Sequence, residues 1–259
     1  MSESIVFSLA DDAVATVSIN EPDTRNALSL SVMNELIETF AEVGARTDVH
    51  VIILRTAGHV FSSGHDLKEI RGAAVDAQQE IFDACSRLMQ LIQAIPQPVI
   101  AQVQGVATAA GCQLVASCDL AVAGTSARFA TPGVKIGLFC STPMVALTRA
   151  VPAKIAMRML LTGDFVSAAD ALAHGLVSDV VADEVLESAT LDLARTVASA
   201  SSATVALGKA AFYEQRELPL AGAYARMSEV MTQNAVAADA QEGIDAFLSR
   251  REPQWQHRS

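Results

Sequence analysis

The amino-acid sequence predicts an α/β protein: a strand-rich core with parallel strands, followed by a helical C-terminal region. Between residues 14 and 123, apolar segments of strand length alternate with amphipathic segments of helix length, an order typical of parallel βα units. From about Pro152 onward the pattern is almost entirely helical. No flexible linker marks the change. We divide the chain into a core with the candidate site, residues 1–195, and a helical region, residues 196–259.

The first predicted elements are a strand, a helix and a second strand. Val14–Ile19 has the period of two that a half-buried strand shows. Ser29 is a residue type that caps helix N-termini, and the helix after it carries an apolar stripe. The stripe consists of Met33, Leu36, Ile37 and Phe40. The continuous apolar run at residues 51–54 predicts a strand buried on both faces.

A second amphipathic helix precedes the next strand and ends at Pro96 and Pro98. Its apolar stripe consists of Ile81, Cys85, Leu88, Ile92 and Ile95. The strand Val99–Val103 follows, then a small-residue turn, a short helix through Val115 and a further strand at residues 120–123. The alternation completes the prediction of a parallel sheet.

Two small-residue turns are the most informative feature. Residues 62–67 (Ser-Ser-Gly-His-Asp-Leu) follow the strand at residues 51–54, and residues 109–114 (Ala-Ala-Gly-Cys-Gln-Leu) follow Val99–Val103. Each turn is predicted to begin a helix, whose first N–H groups lack intrahelical acceptors and whose dipole favours negative charge. Two such turns facing each other would direct two N–H donors at one point, as a developing oxyanion requires. Gln113 stands where proton-transfer chemistry would use a carboxylate.

Composition and charge narrow the class of protein. Of the 259 residues, 51% are hydrophobic and 18% charged, which excludes a disordered chain and a coiled coil. The net charge of −11 argues against nucleic acid as a partner, because that partner needs a basic surface. No apolar run approaches the roughly 18–20 residues of a membrane span, and residues 1–4 show neither a secretory signal nor a transit peptide. We therefore expect a cytoplasmic protein with no membrane partner.

The spacing of the four cysteines argues against two further classes of protein. They form no CxxC pair and have no accompanying histidine cluster. We therefore expect reduced thiols, without a disulfide framework or a metal site.

Five segments match motifs that occur in the same order in a known enzyme family. They are residues 25–28 (N-A-L), 61–67 (F-x-x-G-x-D-[IL]), 98–114 (P-V-I-A-x-V-x-G…G-C-x-L), 161–177 (L-T-G…S-A-x-x-A…G-L-V) and 242–248 (E-G-x-x-A-F). On these motifs, the chain resembles the crotonase family, also called the enoyl-CoA hydratase/isomerase family. The resemblance covers nearly the whole chain.

The resemblance implies a fold, a ligand and an assembly. The fold is a crotonase (ClpP-like) spiral core of ββα units with a C-terminal helical region that mediates homotrimers, which pair into hexamers. The ligand is an acyl-CoA thioester, so coenzyme A enters as part of the substrate and no prosthetic group is implied. The oxyanion hole maps onto the backbone N–H groups of His65 and Ala110.

The resemblance also assigns residues to coenzyme A. Ser63 matches a position beside the adenine, and Arg25 and Lys68 match positions that can meet the phosphates. Phe247 and Arg250 match C-terminal positions that contribute to a neighbouring subunit's site. Together these residues would supply the local basic patch that an acidic chain needs. Without the resemblance, Arg25, Lys68 and Arg250 read equally well as solvated surface charges.

The two catalytic carboxylates of family hydratases are absent. Their positions correspond to Gln113 and Gly133. Gln113 can orient a water molecule but cannot usefully accept its proton, and Gly133 has no side chain. General acid–base catalysis by one group contributes typically ~10²–10⁴ in rate, so efficient hydration by the usual mechanism is not expected.

Other side chains offer partial substitutes. Cys140 and Ser141 align with a loop where family isomerases and dehalogenases carry a carboxylate, although a small loop filling space above the pocket explains them as well. The imidazole of His65 could act as an acid or base. Asp66 reads better as a helix cap, and Asp119 reads as a structural residue.

Three hypotheses follow from these residues. The first is an acyl-CoA enzyme of the hydratase/isomerase class that uses the oxyanion hole with Cys140, Ser141, His65 or a water held by Gln113. The second is a non-catalytic protein that binds or sequesters acyl-CoA. The third is a structural oligomer that binds no coenzyme A.

Overall fold

Parallel strand pairing organises the main sheet of the protein. The computed structural model describes residues 4–10 and 12–257. Its strands are β1 (Ile5–Leu9), β2 (Val14–Ile19), β3 (Val51–Thr56), β4 (Val99–Val103), β5 (Val106–Thr108), β6 (Leu120–Gly124), β7 (Arg128–Ala130), β8 (Val166–Ser167) and β9 (Asp179–Val181). The main sheet has the order β1-β2-β3-β4-β6-β9, in which β1 pairs antiparallel and the other strands pair parallel. The predicted parallel sheet is therefore confirmed.

Helices cover the sheet and form most of the C-terminal region. They are α1 (Leu30–Gly44), α2 (Leu67–Ile70), α3 (Val75–Ala94), α4 (Ala110–Ser117), α5 (Ser141–Ala150), α6 (Ala153–Thr162), α7 (Ala168–His174), α8 (Leu186–Ala198), α9 (Ser202–Arg216), α10 (Leu220–Ala235) and α11 (Ala238–Ser249). The apolar stripes of α1 and α3 are buried in one core with the inner face of the sheet. A second, smaller core lies between the other sheet face and α8. The sheet is therefore covered on both faces, as parallel sheets require.

Local signals in the sequence account for several boundaries. Ser29 caps α1, since its side-chain oxygen accepts a hydrogen bond from the N–H of Val32 at 3.2 Å. Asp66 caps α2 in the same way, through the N–H of Lys68 at 2.9 Å. Residues 51–54 are buried, as predicted for a strand covered on both faces.

A small second sheet corrects the prediction for the turn at residue 109. The strand that directly precedes this turn is β5, in a separate sheet of order β5-β7-β8, and not β4. Because β5 and β7 pair parallel, their ends lie side by side. This pairing brings Ala109, at the end of β5, next to residues 131–133, which follow β7.

The C-terminal region is mainly helical, as predicted, but it also contains two short strands. These strands, β8 and β9, interrupt the helices, and β9 extends the main sheet by pairing with β6. Both strands are only two or three residues long, too short to show a period of two in the sequence. The division at residue 195 lies inside the last turn of α8, which ends at Ala198.

A buried ion pair connects the C-terminal helices to the core. Lys209, on α9, lies 2.7 Å from Asp119, and the two side chains are 6% and 14% exposed. The Lys209 ammonium also donates to the carbonyls of Ile92 and Gln97. Asp119 accepts from the N–H of Val99 as well. The interpretation of Asp119 as structural is confirmed, because its carboxylate joins α9 to the start of β4.

The ion pair generates a stability prediction. Lys209→Met keeps an unbranched side chain of similar length but leaves a partly buried carboxylate at Asp119 without its cation, and we expect the free energy of unfolding to fall by about 3–5 kcal/mol. Urea unfolding followed by circular dichroism measures this loss. The control is Arg226→Met, which breaks an exposed pair with Glu214 and should cost about 0–1 kcal/mol. Equal losses in the two variants would contradict the assignment.

Candidate active site

The two small-residue turns are in direct contact. Gly64 has φ of +89°, and a Cβ atom built on it would lie 2.9 Å from Ala109 Cβ and 3.2 Å from Ala110 N. Ser62 holds the first turn in place, because its N–H donates to Val106 and its carbonyl accepts from Thr108. The contact leaves no room for a side chain at residue 64. The two turns therefore face each other, which is the arrangement that two converging N–H donors require.

The second turn begins a helix with free N–H groups. The N–H of Gln113 donates to Ala109 at 3.0 Å as the first hydrogen bond of α4, so the three preceding N–H groups have no acceptor within the helix. Ala109 adopts φ of 51° and ψ of −117°, a strained conformation for a residue with a Cβ. Each turn begins a helix, as predicted, but the first begins only the four-residue α2. The electrostatic contribution of a helix comes from α4 alone.

A cavity of about 530 Å³ opens beside the contact between the turns. Its wall is mainly apolar and includes Phe82 and Ala110. Within the described ranges, its ionisable side chains are His65, Lys135 and Cys140, and no aspartate or glutamate lines it. The cavity therefore offers backbone donors and apolar surface, but no carboxylate.

His65 lines this cavity, and one of its two ring nitrogens has no hydrogen-bond partner among the described residues. Its Nδ1 lies 3.3 Å from the carbonyl of Leu28, which can only accept, so Nδ1 carries the proton in the neutral ring. Nε2 is then an acceptor, and this buried atom has no partner in the part of the chain that the structure describes. Burial lowers the pKa of His65, and the hydrogen bond to Leu28 opposes this effect. The ring is therefore neutral at pH 7.

A loop occupies the space that a side chain at residue 133 would need. A Cβ atom there would overlap the carbonyl oxygen of Leu138 and lie 2.9 Å from Cys140 Sγ. The loop is fixed by the N–H of Leu138, which donates to Gly133 at 3.0 Å. The thiol of Cys140 is 6% exposed and lines the cavity. Burial raises its pKa, while a hydrogen bond from the N–H of Gly133 lowers it.

Ser141 lies next to this thiol, at the first position of α5, and its hydroxyl donates to Phe139 at 3.4 Å. Ser141 also lines the cavity. The loop thus brings together all three residues predicted for this end of the site: Gly133, Cys140 and Ser141.

Gln113 does not line the cavity beside His65. Its side chain is 4% exposed, and its amide oxygen accepts a hydrogen bond from Cys85 Sγ at 3.6 Å. It lines an adjoining cavity of about 390 Å³, which shares Thr142 with the cavity beside His65. Its position on the fourth residue of α4 directs it toward α3. The structure therefore does not support the expectation that Gln113 holds a water molecule at the reactive end.

The residues assigned to coenzyme A are distributed over the surface. Ser63 lines the cavity, and its N–H donates to the carbonyl of Arg25 at 3.1 Å. Arg25 and Lys68 are exposed and lie outside the cavity wall. Lys135, which was not expected in the site, lines the cavity and pairs with Asp164 at 3.0 Å. Its location after β7, beside Gly133, was the available signal.

Phe247 and Arg250 are not part of this chain's own cavity. Phe247, on α11, is 81% exposed, and Arg250 ends that helix in a left-handed conformation. Phe247 lies instead on an apolar surface with Leu248 and Trp255. A role in ligand binding would require a second subunit.

Comparison with known proteins decides the family. A family model described as enoyl-CoA hydratase/isomerase matches residues 10–258. The chain belongs to this family. The predicted crotonase fold is confirmed, since a crystal structure of human enoyl coenzyme A hydratase domain-containing protein 3 superposes with a TM-score of 0.95 at 48% identity, covering 98% of this chain and 100% of that one.

Individual members of the enoyl-CoA hydratase/isomerase family are similar to this chain in sequence and in structure. Enoyl-CoA hydratase domain-containing protein 3 of Rattus norvegicus is 50% identical over 247 residues, 95% of this chain and 82% of the relative. The 2,3-dehydroadipyl-CoA hydratase of Escherichia coli is 32% identical over the full length of both chains. A crystal structure of enoyl-CoA hydratase from Mycobacterium smegmatis has a TM-score of 0.96 at 43% identity, covering 98% of this chain and 99% of that one. The rat relative is named as mitochondrial; the cytoplasmic location expected for this chain stays a prediction.

The packing at Gly133 generates a second prediction. We expect Gly133→Ala to lower the free energy of unfolding by about 1–3 kcal/mol, because the added methyl group overpacks the loop at Leu138 and Cys140. The matched control is Gly208→Ala in α9, where a Cβ atom meets nothing within 4 Å and should stabilise the helix by about 0.5–1 kcal/mol. Thermal unfolding of both variants checks the opposite signs, and a stabilised Gly133→Ala variant would refute the packing argument.

Proposed function

We propose that the cavity binds an acyl-CoA thioester and that the carbonyl oxygen of the thioester accepts hydrogen bonds from the N–H groups of His65 and Ala110. The observation that carries this proposal is the contact of the two turns at Gly64 and Ala110 beside an apolar cavity. Backbone donors fixed in this way need no reorganisation when charge develops on the oxygen. The name of the Escherichia coli relative, a 2,3-dehydroadipyl-CoA hydratase, supports a CoA thioester as the ligand class.

The proposed site polarises a thioester, but it lacks the pair of carboxylates that family hydratases use to add water. Gly133 has no side chain, Gln113 lies outside the cavity wall, and none of the described lining residues is acidic. Each missing acid–base group removes about 10²–10⁴ in rate. The polarisation by each backbone donor, about 10²–10³ in rate, is retained.

The residues of this site are compatible with two functions. The enzymatic hypothesis now depends on His65, Cys140 and Ser141, which share the cavity. The alternative, a protein that binds or sequesters acyl-CoA without turnover, is favoured by the missing carboxylates. Both require the same binding site, so binding is tested first.

The coenzyme A portion would extend from Ser63 toward the exposed cations Arg25 and Lys68. Because Phe247 is 81% exposed and lies away from the cavity, we also propose that it and Arg250 complete the site of a neighbouring subunit in a homotrimer, or in a hexamer of two trimers. Sedimentation equilibrium measures this state, and a monomer that binds acyl-CoA would exclude the shared site.

Binding is predicted to depend on the contact at Gly64. Gly64→Ala should weaken binding of butyryl-CoA by at least about tenfold, equivalent to about 1.4 kcal/mol, because the new methyl group pushes the turn away from Ala110 N. Isothermal titration calorimetry measures the dissociation constant. The control is Gly72→Ala, which has a similar positive φ of 72° but no atom within 4 Å of the new methyl group. If the two variants bind equally well, the two turns do not form the site.

Hydration is predicted to be slow. Wild-type protein should turn over crotonyl-CoA more slowly than a two-carboxylate hydratase by at least about 10²-fold, since both carboxylates are missing and each contributes about 10²–10⁴ in rate. Gln113→Glu should leave the rate low, because the side chain at this position faces Cys85 and not the cavity. Loss of the enoyl thioester absorbance follows the reaction. Rapid hydration by the wild-type protein would overturn this part of the proposal.

A further inference from the structure

The segment after α11 folds back along the C-terminal helices, and we call residues 252–257 the clasp. Two of its backbone N–H groups bind carboxylates of α11. Gln254 N donates to Glu242 at 2.7 Å, and Gln256 N donates to Asp239 at 2.7 Å. The clasp is therefore attached to the N-terminal half of α11.

Trp255 joins the clasp to the preceding helices. Its indole Nε1 donates to the carbonyl of Ser199, in the connection between α8 and α9, at 2.9 Å. Its ring lies against α11, where a Cβ atom on Gly243 would be 3.0 Å from the nearest ring carbon. Trp255 is the only tryptophan of the chain, so tryptophan fluorescence reports the position of the clasp.

The last described residue of the clasp contacts the N-terminus of α9. Nδ1 of His257 accepts a hydrogen bond from the N–H of Ser202, the first residue of that helix, at 3.2 Å. This nitrogen must be unprotonated, because a protonated ring nitrogen can only donate. A charged imidazole would also face the positive end of the helix dipole, and the first charged residue of α9 is Lys209. The closed clasp therefore requires a neutral His257.

Two titratable side chains of other elements face His257 in the part of the chain that the structure describes. The ring of His50, in the segment before β3, lies 4.3 Å from it between ring centroids. Asp239, on α11, is buried and accepts a hydrogen bond from the N–H of His257 at 3.0 Å. Asp48, close to His50 in sequence, is already paired with Arg46 at 2.6 Å. Protonation of both rings would thus place two positive charges beside one buried carboxylate.

We propose that residues 252–257 are a pH-sensitive clasp, closed on α11 and the start of α9 at neutral pH and open in mild acid. Protonation of His257 removes the acceptor of the Ser202 N–H and brings positive charge against His50 and the N-terminus of α9. Trp255 then leaves Ser199. As a result α11, which carries the exposed Phe247, loses its attachment to the connection between α8 and α9.

The direction of the pH effect follows from the surroundings of the imidazole. Burial and the neighbouring His50 lower the pKa of His257, while attraction by Asp239 opposes them in part. In the open form the pKa returns toward its ordinary value of about 6.5. Because the open form then binds the proton more tightly, the closed form loses stability as the pH falls below about 6.5.

The carboxylate under the clasp does not change charge in this range. Burial raises the pKa of Asp239, but hydrogen bonds from Ser201, Gln256 and His257 outweigh burial and hold the pKa below its usual range. Asp239 therefore stays ionised in mild acid, and opening above about pH 5 is assigned to histidine.

Fluorescence of Trp255 in the full-length protein tests the proposal. Acrylamide quenching should increase from pH 8 to about pH 5.5, the range in which histidines change charge. The ratio of open to closed clasp should rise by up to about tenfold per pH unit. His257→Gln keeps an acceptor for the Ser202 N–H but cannot become charged, so it should stay closed throughout. The matched control His59→Gln, which removes an exposed histidine outside the clasp, should respond like the wild type.

Two further measurements locate the opening. His50→Gln should reduce the response, because it removes one of the two effects that lower the pKa of His257. Hydrogen exchange, corrected for the intrinsic effect of pH on the exchange rate, should become faster in acid for residues 238–257 and stay unchanged in β3.

Several outcomes would overturn the clasp. Quenching of Trp255 that is independent of pH would do so, and so would a His257→Gln variant that responds like the wild type. A loss of far-ultraviolet circular dichroism in step with the quenching would also contradict it, since the opening is local. None of these measurements uses an acyl-CoA, so the proposed function is tested separately.

Discussion

The contact between the turn at Gly64 and the N-terminus of α4 is the constraint on which the site depends. The turns can approach this closely only because residues 64 and 111 are glycines: a Cβ atom on Gly64 would lie 2.9 Å from Ala109 Cβ, and one on Gly111 would lie 2.6 Å from the carbonyl oxygen of Ser62. Ala109 adopts a strained conformation at the same point. The strain is maintained by the small sheet, since the N–H of Ala109 donates to Ala130 at 2.9 Å. Pre-organised donors are the result.

The small sheet also explains why positions distant in sequence share one cavity. Because β5 and β7 pair parallel, the residues that leave their ends emerge together: Ala109 from one and Gly133 from the other. The C-terminal helices are held to this core by the Lys209–Asp119 pair at the base of β4. An acidic chain thus places one of its few lysines in the interior, where the desolvation cost is offset by a carboxylate and two carbonyl groups.

The sequence predicted the features that depend on periodicity and turn chemistry. The order of the main strands and helices, the cap at Ser29 and the presence of the two small-residue turns follow from local patterns. It did not predict β8 and β9, which are too short to show a pattern, or the orientation of Gln113. Residue 113 lies close in sequence to Ala110, but the direction of its side chain depends on the packing of α3 against α4. Lys135 was missed because its location in the cavity wall is set by the fold of residues 132–140.

Packing links residue 133 to residue 140: the thiol of Cys140 can lie where it does only because residue 133 has no side chain. The loop can place Leu138 O and Cys140 Sγ against Gly133 only because no Cβ atom stands there. A carboxylate at residue 133 and the observed loop are therefore mutually exclusive, and a single substitution could not restore the first without displacing the second. The backbone N–H groups at one end of the cavity are set by the two turns, whereas the side chains at the other end are set by the loop at residues 133–140.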